Sequence, residues 1–182
     1  MSTMQNSDLE VYCRKAVEAG VNSARVINPG NVVTAAWVRL KCQWGCKYKL
    51  THCCPPETPT PKETREILDC YRRAILCHTE APMSPERGKR MVGVLKNMVD
   101  LEGEMFKDGY YKAFVLLAGP CVLCRECGKK KGADCSFPDR ARPSMESFGI
   151  DVFQTAWDHG LTIRTLRDKS ETQNLFFLFL VD

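Results

Sequence analysis

Three closely spaced cysteines carry the strongest chemical signal in the sequence. Cys121, Cys124 and Cys127 are each separated by two residues, and Cys135 follows Cys127 after seven more. Each CxxC turn directs successive sulfurs towards one centre, as in the cysteine runs of bacterial ferredoxins that hold four-iron clusters. Two glycines lie in the gap before Cys135, so we expect the chain to turn back and bring this residue to the same cluster.

Zinc binding and thiol redox chemistry are the alternatives for these four cysteines, which form the second of two cysteine tracts in the chain. Four cysteines also suit tetrahedral zinc, although structural zinc sites usually use two separate CxxC pairs rather than an overlapping triplet. A thioredoxin-like pair at Cys124 and Cys127 would leave Cys121 and Cys135 without a role. The softness and spacing of these ligands therefore favour an iron–sulfur cluster over zinc.

The first tract contains Cys42, Cys46 and the adjacent pair Cys53 and Cys54, which runs into two prolines. Neighbouring cysteines rarely both face one metal, so we expect three ligands: Cys42, Cys46 and Cys54, with Cys53 as the substitute for Cys54. Three cysteines on a four-iron cluster would leave one iron open to a substrate, a small thiol or another donor. A fourth ligand from Cys53, His52 or a helix cysteine would close the site instead.

The remaining cysteines are expected to pack in the core. Cys13 falls on the apolar side of a predicted helix, and Cys70 and Cys77 fall on one side of another. A buried free cysteine behaves as a small apolar residue. Contact with a cluster, or a reactive thiol, is the alternative for Cys70 and Cys77.

The cysteine count indicates the compartment. The chain has 11 cysteines, an odd number, and its N-terminal segment lacks the basic start and apolar core of an export signal. Disulfide frameworks belong to small secreted domains, so we expect a cytoplasmic protein with reduced or metal-bound thiols. No run approaches the roughly 20 apolar residues of a membrane helix, and we expect no membrane span.

The net charge does not indicate nucleic-acid binding. It is +4 with an isoelectric point near 8.5 when every cysteine is neutral. Eight ligating thiolates and two cluster cores of about +2 each would bring the charge close to zero. The sequence also lacks an extended basic face with interleaved aromatic residues, so a nucleic-acid partner is not expected.

The elements that must position these residues indicate one domain, residues 1–182, of α+β or α/β class. The 182 residues are 44% hydrophobic, which suffices for a sizeable core. We expect a mixed sheet with flanking helices and two irregular cysteine-rich loops, at about 41–61 and 119–143. Patterning predicts helices over 8–19, 61–78, 84–109 and 151–159, with a further helix start at 142–146. It predicts strands over 24–27, 32–40, 111–118, 161–166 and 175–181, the last covered on both faces.

The motifs together resemble a known family. The stretch VRLKCQWGCKYKLTHCCPPETPTPKETREIL, the CxxCxxC run and the RPSME…GIDV stretch after Cys135 are similar to small bacterial and archaeal proteins described only as predicted metal-binding proteins of unknown function. The resemblance implies metal ligands at Cys42, Cys46 and Cys54 in the first tract and at Cys121, Cys124, Cys127 and Cys135 in the second. Cys53, Cys70 and Cys77 look like additions in this chain. Arg140 and Arg142 would stabilise a cluster, bind an anion or provide surface charge.

Three functions are consistent with this pattern. The first is a cytoplasmic iron–sulfur protein with one or two [4Fe–4S] clusters that serves as an electron carrier or redox accessory to a partner protein. The second is an enzyme that binds a small-molecule substrate at an open iron of the three-cysteine cluster. The third is a zinc-stabilised interaction module without redox chemistry.

Overall fold

A four-stranded antiparallel sheet organises the computed structural model, which describes residues 7–168 and 170–182. Its strands are β1 (Ser23–Ile27), β2 (Ala74–Ala81), β3 (Phe114–Leu116) and β4 (Gln173–Leu180). They lie in the order β1-β2-β4-β3, and each neighbouring pair is antiparallel. The predicted α+β class is confirmed, and antiparallel pairing selects it over α/β.

Strand β4 forms the centre of the core. Leu178 lies opposite Leu76 in β2 and Leu116 in β3. Successive side chains of a strand point to opposite faces of the sheet, yet every residue over 176–181 is buried. The prediction that this strand is covered on both faces is confirmed.

Helices cover both faces of the sheet. On one face, α1 (Glu10–Glu18) and α4 (Arg87–Lys107) pack against a cluster that includes Phe177 and Phe179. On the other face, α3 (Pro61–Leu68) and α5 (Val152–Asp158) contribute to a second cluster. Helix α2 (Val38–Gln43) contacts the short 3₁₀-helix Glu146–Phe148. Two further 3₁₀-helices span Pro29–Asn31 and Gly128–Lys131.

Two helices begin with side-chain caps, and the first of these is the capping box that Thr60 and Glu63 predict in the sequence. Thr60 precedes α3, where its amide donates to Glu63 Oε2 (2.7 Å) and its hydroxyl accepts from the Glu63 amide (3.3 Å). Asp151 precedes α5 and accepts from the Gln154 amide (3.0 Å). The cap at Thr60 ends the first cysteine loop at a fixed point.

Only the first half of the helix predicted over 61–78 is present, and the prediction for the second half is wrong. Helix α3 ends at Leu68, and β2 begins at Ala74, so Cys77 lies on a strand. The apolar run over 74–77 fits a helix face or a buried strand equally well by pattern. Pairing decides between them, because β2 supplies the hydrogen-bonding partner of both β1 and β4.

Three other expectations are corrected at the edges of the sheet. The strand predicted over 32–40 is reduced to a bridge between Thr34 and Ile150, after which the chain enters α2. Residues 161–166 have no regular structure. The helix start predicted over 142–146 is instead a bridge at Ser144 followed by a 3₁₀-turn.

The two predicted cysteine loops are largely irregular, as expected. The first loop includes the end of α2, which extends to Gln43. The second loop contains only the short 3₁₀-helix Gly128–Lys131. Among the described residues, no helix is both long and apolar enough to cross a bilayer. Residues 1–6, part of the N-terminal segment in which no export signal is expected, lie outside the described residues.

Candidate metal centre

The two cysteine loops lie side by side. The first connects α2 to α3, and the second connects β3 to the segment before α5. His52 Nε2 lies 2.9 Å from the Ala133 carbonyl oxygen, and Lys129 Nζ lies 2.5 Å from Glu57 Oε1. These contacts join the loops, so their cysteines form neighbouring groups.

A tight turn returns the second loop on itself. The 3₁₀-helix Gly128–Lys131 is closed by the Ala133 amide, which donates to the Gly128 carbonyl oxygen (3.0 Å). A Cβ atom at Gly128 would lie 2.5 Å from the Asp134 carbonyl oxygen, so this close approach requires glycine. The turn brings Cys135 back towards the CxxCxxC run, as its two glycines predicted.

One cavity of about 200 Å³ gathers the cysteines of the second tract. The thiols in its lining belong to Cys53, Cys121, Cys124, Cys127 and Cys135. Burial raises the pKa of Cys124, and the nearby thiolates of the second tract raise it further. The structure therefore brings the four predicted second-tract residues together, and their role as ligands stays a prediction.

Cys53 belongs with this second group rather than with the first. Its thiol donates a hydrogen bond to Cys121, which lowers the pKa of Cys121 to about 6 although burial acts in the opposite direction. The Leu123 amide also donates to Cys121. The same contact raises the pKa of Cys53, so Cys121 holds the thiolate of this pair.

The first group consists of Cys42, Cys46 and Cys54. Burial raises the pKa of Cys42, the Arg39 guanidinium lowers it, and the thiolates of Cys46 and Cys54 raise it again. Arg39 is held in place because its Nη1 donates to Thr58 Oγ1 (3.1 Å). The three residues predicted for the first site are therefore neighbours, with a fixed positive charge beside them.

Hydrogen bonds to sulfur orient the first group. The Tyr48 amide donates to Cys46 Sγ (3.4 Å), and the Thr51 hydroxyl donates to Cys54 Sγ (3.1 Å). Thr51 is buried, at 8% exposure. Donors of this kind stabilise thiolates and tune a bound metal or cluster.

Glu146 is a functional candidate that the sequence reasoning missed. Burial raises the pKa of its carboxyl group, although Ser144 and the Gly119 amide donate hydrogen bonds to it. Its Oε2 atom is fully buried and has no hydrogen-bond partner among the described residues. A single acid among buried neighbours in the Met145–Phe148 stretch was the available signal.

A larger cavity of about 550 Å³ adjoins the first group. Cys42 and Glu146 both line it, together with apolar residues of α2, α5 and β4. This cavity connects the first cysteine group to space large enough for a small molecule.

A buried ion pair anchors the second loop to α4. Arg142 donates from Nη2 to Glu102 Oε1 (2.6 Å) and from Nε to Glu102 Oε2 (2.9 Å), and these side chains are 15% and 9% exposed. Glu102 Oε2 also accepts from the Val115 amide of β3 (2.6 Å). Arg140 instead forms a surface pair with Asp100 (2.6 Å). Arg142 is thus structural rather than free surface charge.

The other cysteines lie away from both groups. Cys13 and Cys77 are buried in the core, as expected, and burial raises the pKa of Cys13 to about 11. Cys70 is exposed, so its predicted core position is wrong. Its place directly after α3, rather than within a longer helix, explains the exposure.

Among residues 7–168 and 170–182, no three His, Cys, Asp or Glu side chains converge closely enough to hold a single metal ion. The second-tract thiols line the cavity described above.

A family model described as "Predicted metal-binding protein (DUF2284)" matches residues 25–181. No curated protein matches the chain. No solved structure matches it either.

Proposed function

Because the chain belongs to the DUF2284 family of predicted metal-binding proteins, we propose that it is a cytoplasmic iron–sulfur protein. It carries one or two [4Fe–4S] clusters and serves as an electron carrier or redox accessory. The observation that carries this proposal is the cavity in which the second-tract thiols meet. A bound [4Fe–4S] cluster supplies one-electron redox chemistry.

One of these clusters is held by the second cysteine loop. Cys121, Cys124, Cys127 and Cys135 are its ligands, and Cys53 provides a fifth thiol at the same cavity. The low pKa of Cys121 favours the thiolate, which is the form that binds metal. Cys53 and the Leu123 amide are then hydrogen-bond donors to the sulfur of Cys121.

The other cluster is held by the first cysteine loop, through Cys42, Cys46 and Cys54. Arg39 offsets part of the negative charge of these thiolates, and the donors from Tyr48 and Thr51 satisfy their sulfurs. With three cysteines, one iron of this cluster remains open for another donor.

The partner is a redox protein that docks near the first loop. The segment 37–50 exposes large apolar side chains, of which Trp44 is 83% exposed. Aromatic side chains exposed together mark interaction surfaces.

We assign residues 1–182 to one domain, because one sheet carries a core cluster on each face.

Anaerobic purification with iron, zinc and acid-labile sulfide analysis tests the proposal. About eight irons and eight sulfides per chain, with broad absorption near 400 nm, support two clusters, and half of these values supports one. Cys124→Ser lowers the iron content, whereas the matched variant Cys70→Ser, at an exposed thiol outside both groups, does not. Stoichiometric zinc without sulfide would replace both redox functions with a zinc-stabilised module.

A second candidate function is an enzyme that uses the open iron of the first cluster. The 550 Å³ cavity beside Cys42 supports it, because a substrate there would lie next to the first cysteine group. Cys53 lines the other cavity, so Cys53→Ser should leave iron at the first group intact. Loss of that iron in Cys53→Ser would show that Cys53 closes the first site.

A further inference from the structure

The large cavity has the dimensions and lining of a small-molecule site. Its volume of about 550 Å³ lies within the range of about 300–1,000 Å³ that is typical of ligand pockets. The wall is largely apolar and includes the aromatic side chains of Trp37, Phe153, Trp157 and Phe176. Trp37 and Trp157 remain 48% and 54% exposed. A flat apolar ligand would cover these rings and remove them from water.

Glu146 is one polar side chain in the wall of this cavity. Ser144 and the Gly119 amide donate hydrogen bonds to its carboxyl group. Its Oε2 atom, unpartnered among the described residues, is closed off from solvent, so a ligand in the cavity does not reach this oxygen.

Two cations give the cavity its second polar feature. Lys41 and Arg164 line it, and neither belongs to an ion pair in the part of the chain that the structure describes. The Asp151 side chain, which also lines it, already accepts from the Gln154 amide as the cap of α5. The two unpaired cations favour an anionic group on the ligand, and a guanidinium pairs well with a carboxylate.

We propose that this cavity binds a small planar aromatic carboxylate. The ring lies against the aromatic side chains of the wall, and the carboxylate pairs with Arg164 and Lys41.

The inference deepens the second candidate function, since Cys42 brings the first cysteine group to the same cavity. In that function the ligand is the substrate class of the open iron. Binding itself depends only on side chains of this chain, so it is measurable with and without iron. Failure of the cluster proposal and failure of the ligand proposal therefore give different results.

The test is fluorescence titration of the full chain with 2-naphthoate, in anaerobic iron-loaded and iron-free samples. The comparison ligand is 2-naphthol, which keeps the ring system and lacks the carboxylate. We expect 2-naphthol to bind several-fold more weakly, because it loses the charge-assisted pairing with the two cations. Equal binding of the two ligands, or no saturable binding of either, overturns the proposal.

One variant assigns the polar contact. Arg164→Gln should weaken 2-naphthoate several-fold without changing 2-naphthol. Arg167→Gln is the matched control, since this exposed arginine does not line the cavity.

The variants also keep the proposal testable if one of them fails to fold. Arg164 is exposed, so Arg164→Gln should preserve the fold, which circular dichroism checks. If Arg164→Gln and Arg167→Gln weaken binding equally, the carboxylate site is wrong. If ligand binds to protein without iron or sulfide, the cavity inference stands and the cluster proposal fails.

Discussion

Loss of Arg142 should destabilise the protein far more than loss of its near neighbour Arg140. Arg142 reaches both carboxylate oxygens of Glu102, and the pair is 15% and 9% exposed. Arg142→Ala would leave a buried carboxylate with the Val115 amide as its remaining donor. Removing one partner of a buried pair costs about 3–5 kcal/mol, a large part of a total stability of about 5–15 kcal/mol.

Urea unfolding of anaerobic protein, followed by tryptophan fluorescence, measures this loss. Arg140→Ala is the matched control, because Arg140 and Asp100 form a pair that is 36% and 56% exposed. Such surface pairs contribute about 0–1 kcal/mol. The iron content of both variants shows whether the anchor also holds the second loop in its metal-binding conformation.

A double-mutant cycle separates the ion pair from the packing of its side chains. Glu102→Leu combined with Arg142→Met replaces both charges by apolar groups and should recover much of the loss in Arg142→Ala. We expect a coupling free energy of at least about 2 kcal/mol between the two positions. Equal losses in Arg142→Ala and Arg140→Ala would refute the assignment of Arg142 as the buried anchor.

Three further changes test other parts of the structure. Phe177→Ala should cost about 3–5 kcal/mol in urea unfolding, because this fully buried ring lies at the centre of the core; a loss below about 1 kcal/mol would contradict its position. The hydrogen bond from Arg73 lowers the pKa of Asp182, so the pair stabilises the fold above the unfolded pKa of about 3.9 and loses this effect as pH falls through the folded value. Asp182→Asn should therefore lower stability at pH 7, and its difference from the unmodified protein should shrink as pH falls below about 3.9; a difference that does not change with pH would exclude the linkage. Cys53→Ala should raise the pKa of Cys121 towards the ordinary thiol value, and slow its iodoacetamide alkylation at pH 7 several-fold in metal-free protein, as mass spectrometry would show; an unchanged rate would mean that Cys53 does not hold that thiolate.

The sequence predicted the elements whose local chemistry is unambiguous. The Thr60 cap, the long helix α4 and the continuous apolar strand β4 are all present. In each, one pattern has one structural solution: a capping box starts a helix, and an unbroken apolar run of strand length needs cover on both faces. The clustering of cysteines into two loops also followed from spacing alone.

The errors occurred where tertiary contacts choose between two local solutions. The apolar run at the start of β2 fits either a helix or a strand, and its pairing with β1 and β4 decides. Residues 161–166 carry an apolar pattern because Leu161 and Ile163 pack with the core and residues 163–166 line the large cavity, rather than because they form a strand. Hydrophobic periodicity reports burial and does not identify the surface that a residue is buried against.

Two features of the site were inaccessible to sequence reasoning. Adjacent cysteines gave no basis for placing Cys53 at the second group, because the turn that separates it from Cys54 is set by contacts between the loops. Glu146 was equally hidden, since its importance lies in an unpaired oxygen rather than in a motif. Both depend on long-range packing, which spacing does not encode.

The separation of Cys53 and Cys54 has a thermodynamic consequence. One residue contacts the second group and the next contacts the first, so a single peptide bond spans the two sites. Metal bound at Cys54, or at the second-tract cysteines that Cys53 contacts, therefore removes conformational freedom from the other site before that site binds metal. Occupancy of one centre should raise the affinity of the other, by a coupling that linkage requires to be equal in both directions. During assembly, chains with both centres filled or both empty should then outnumber half-loaded ones.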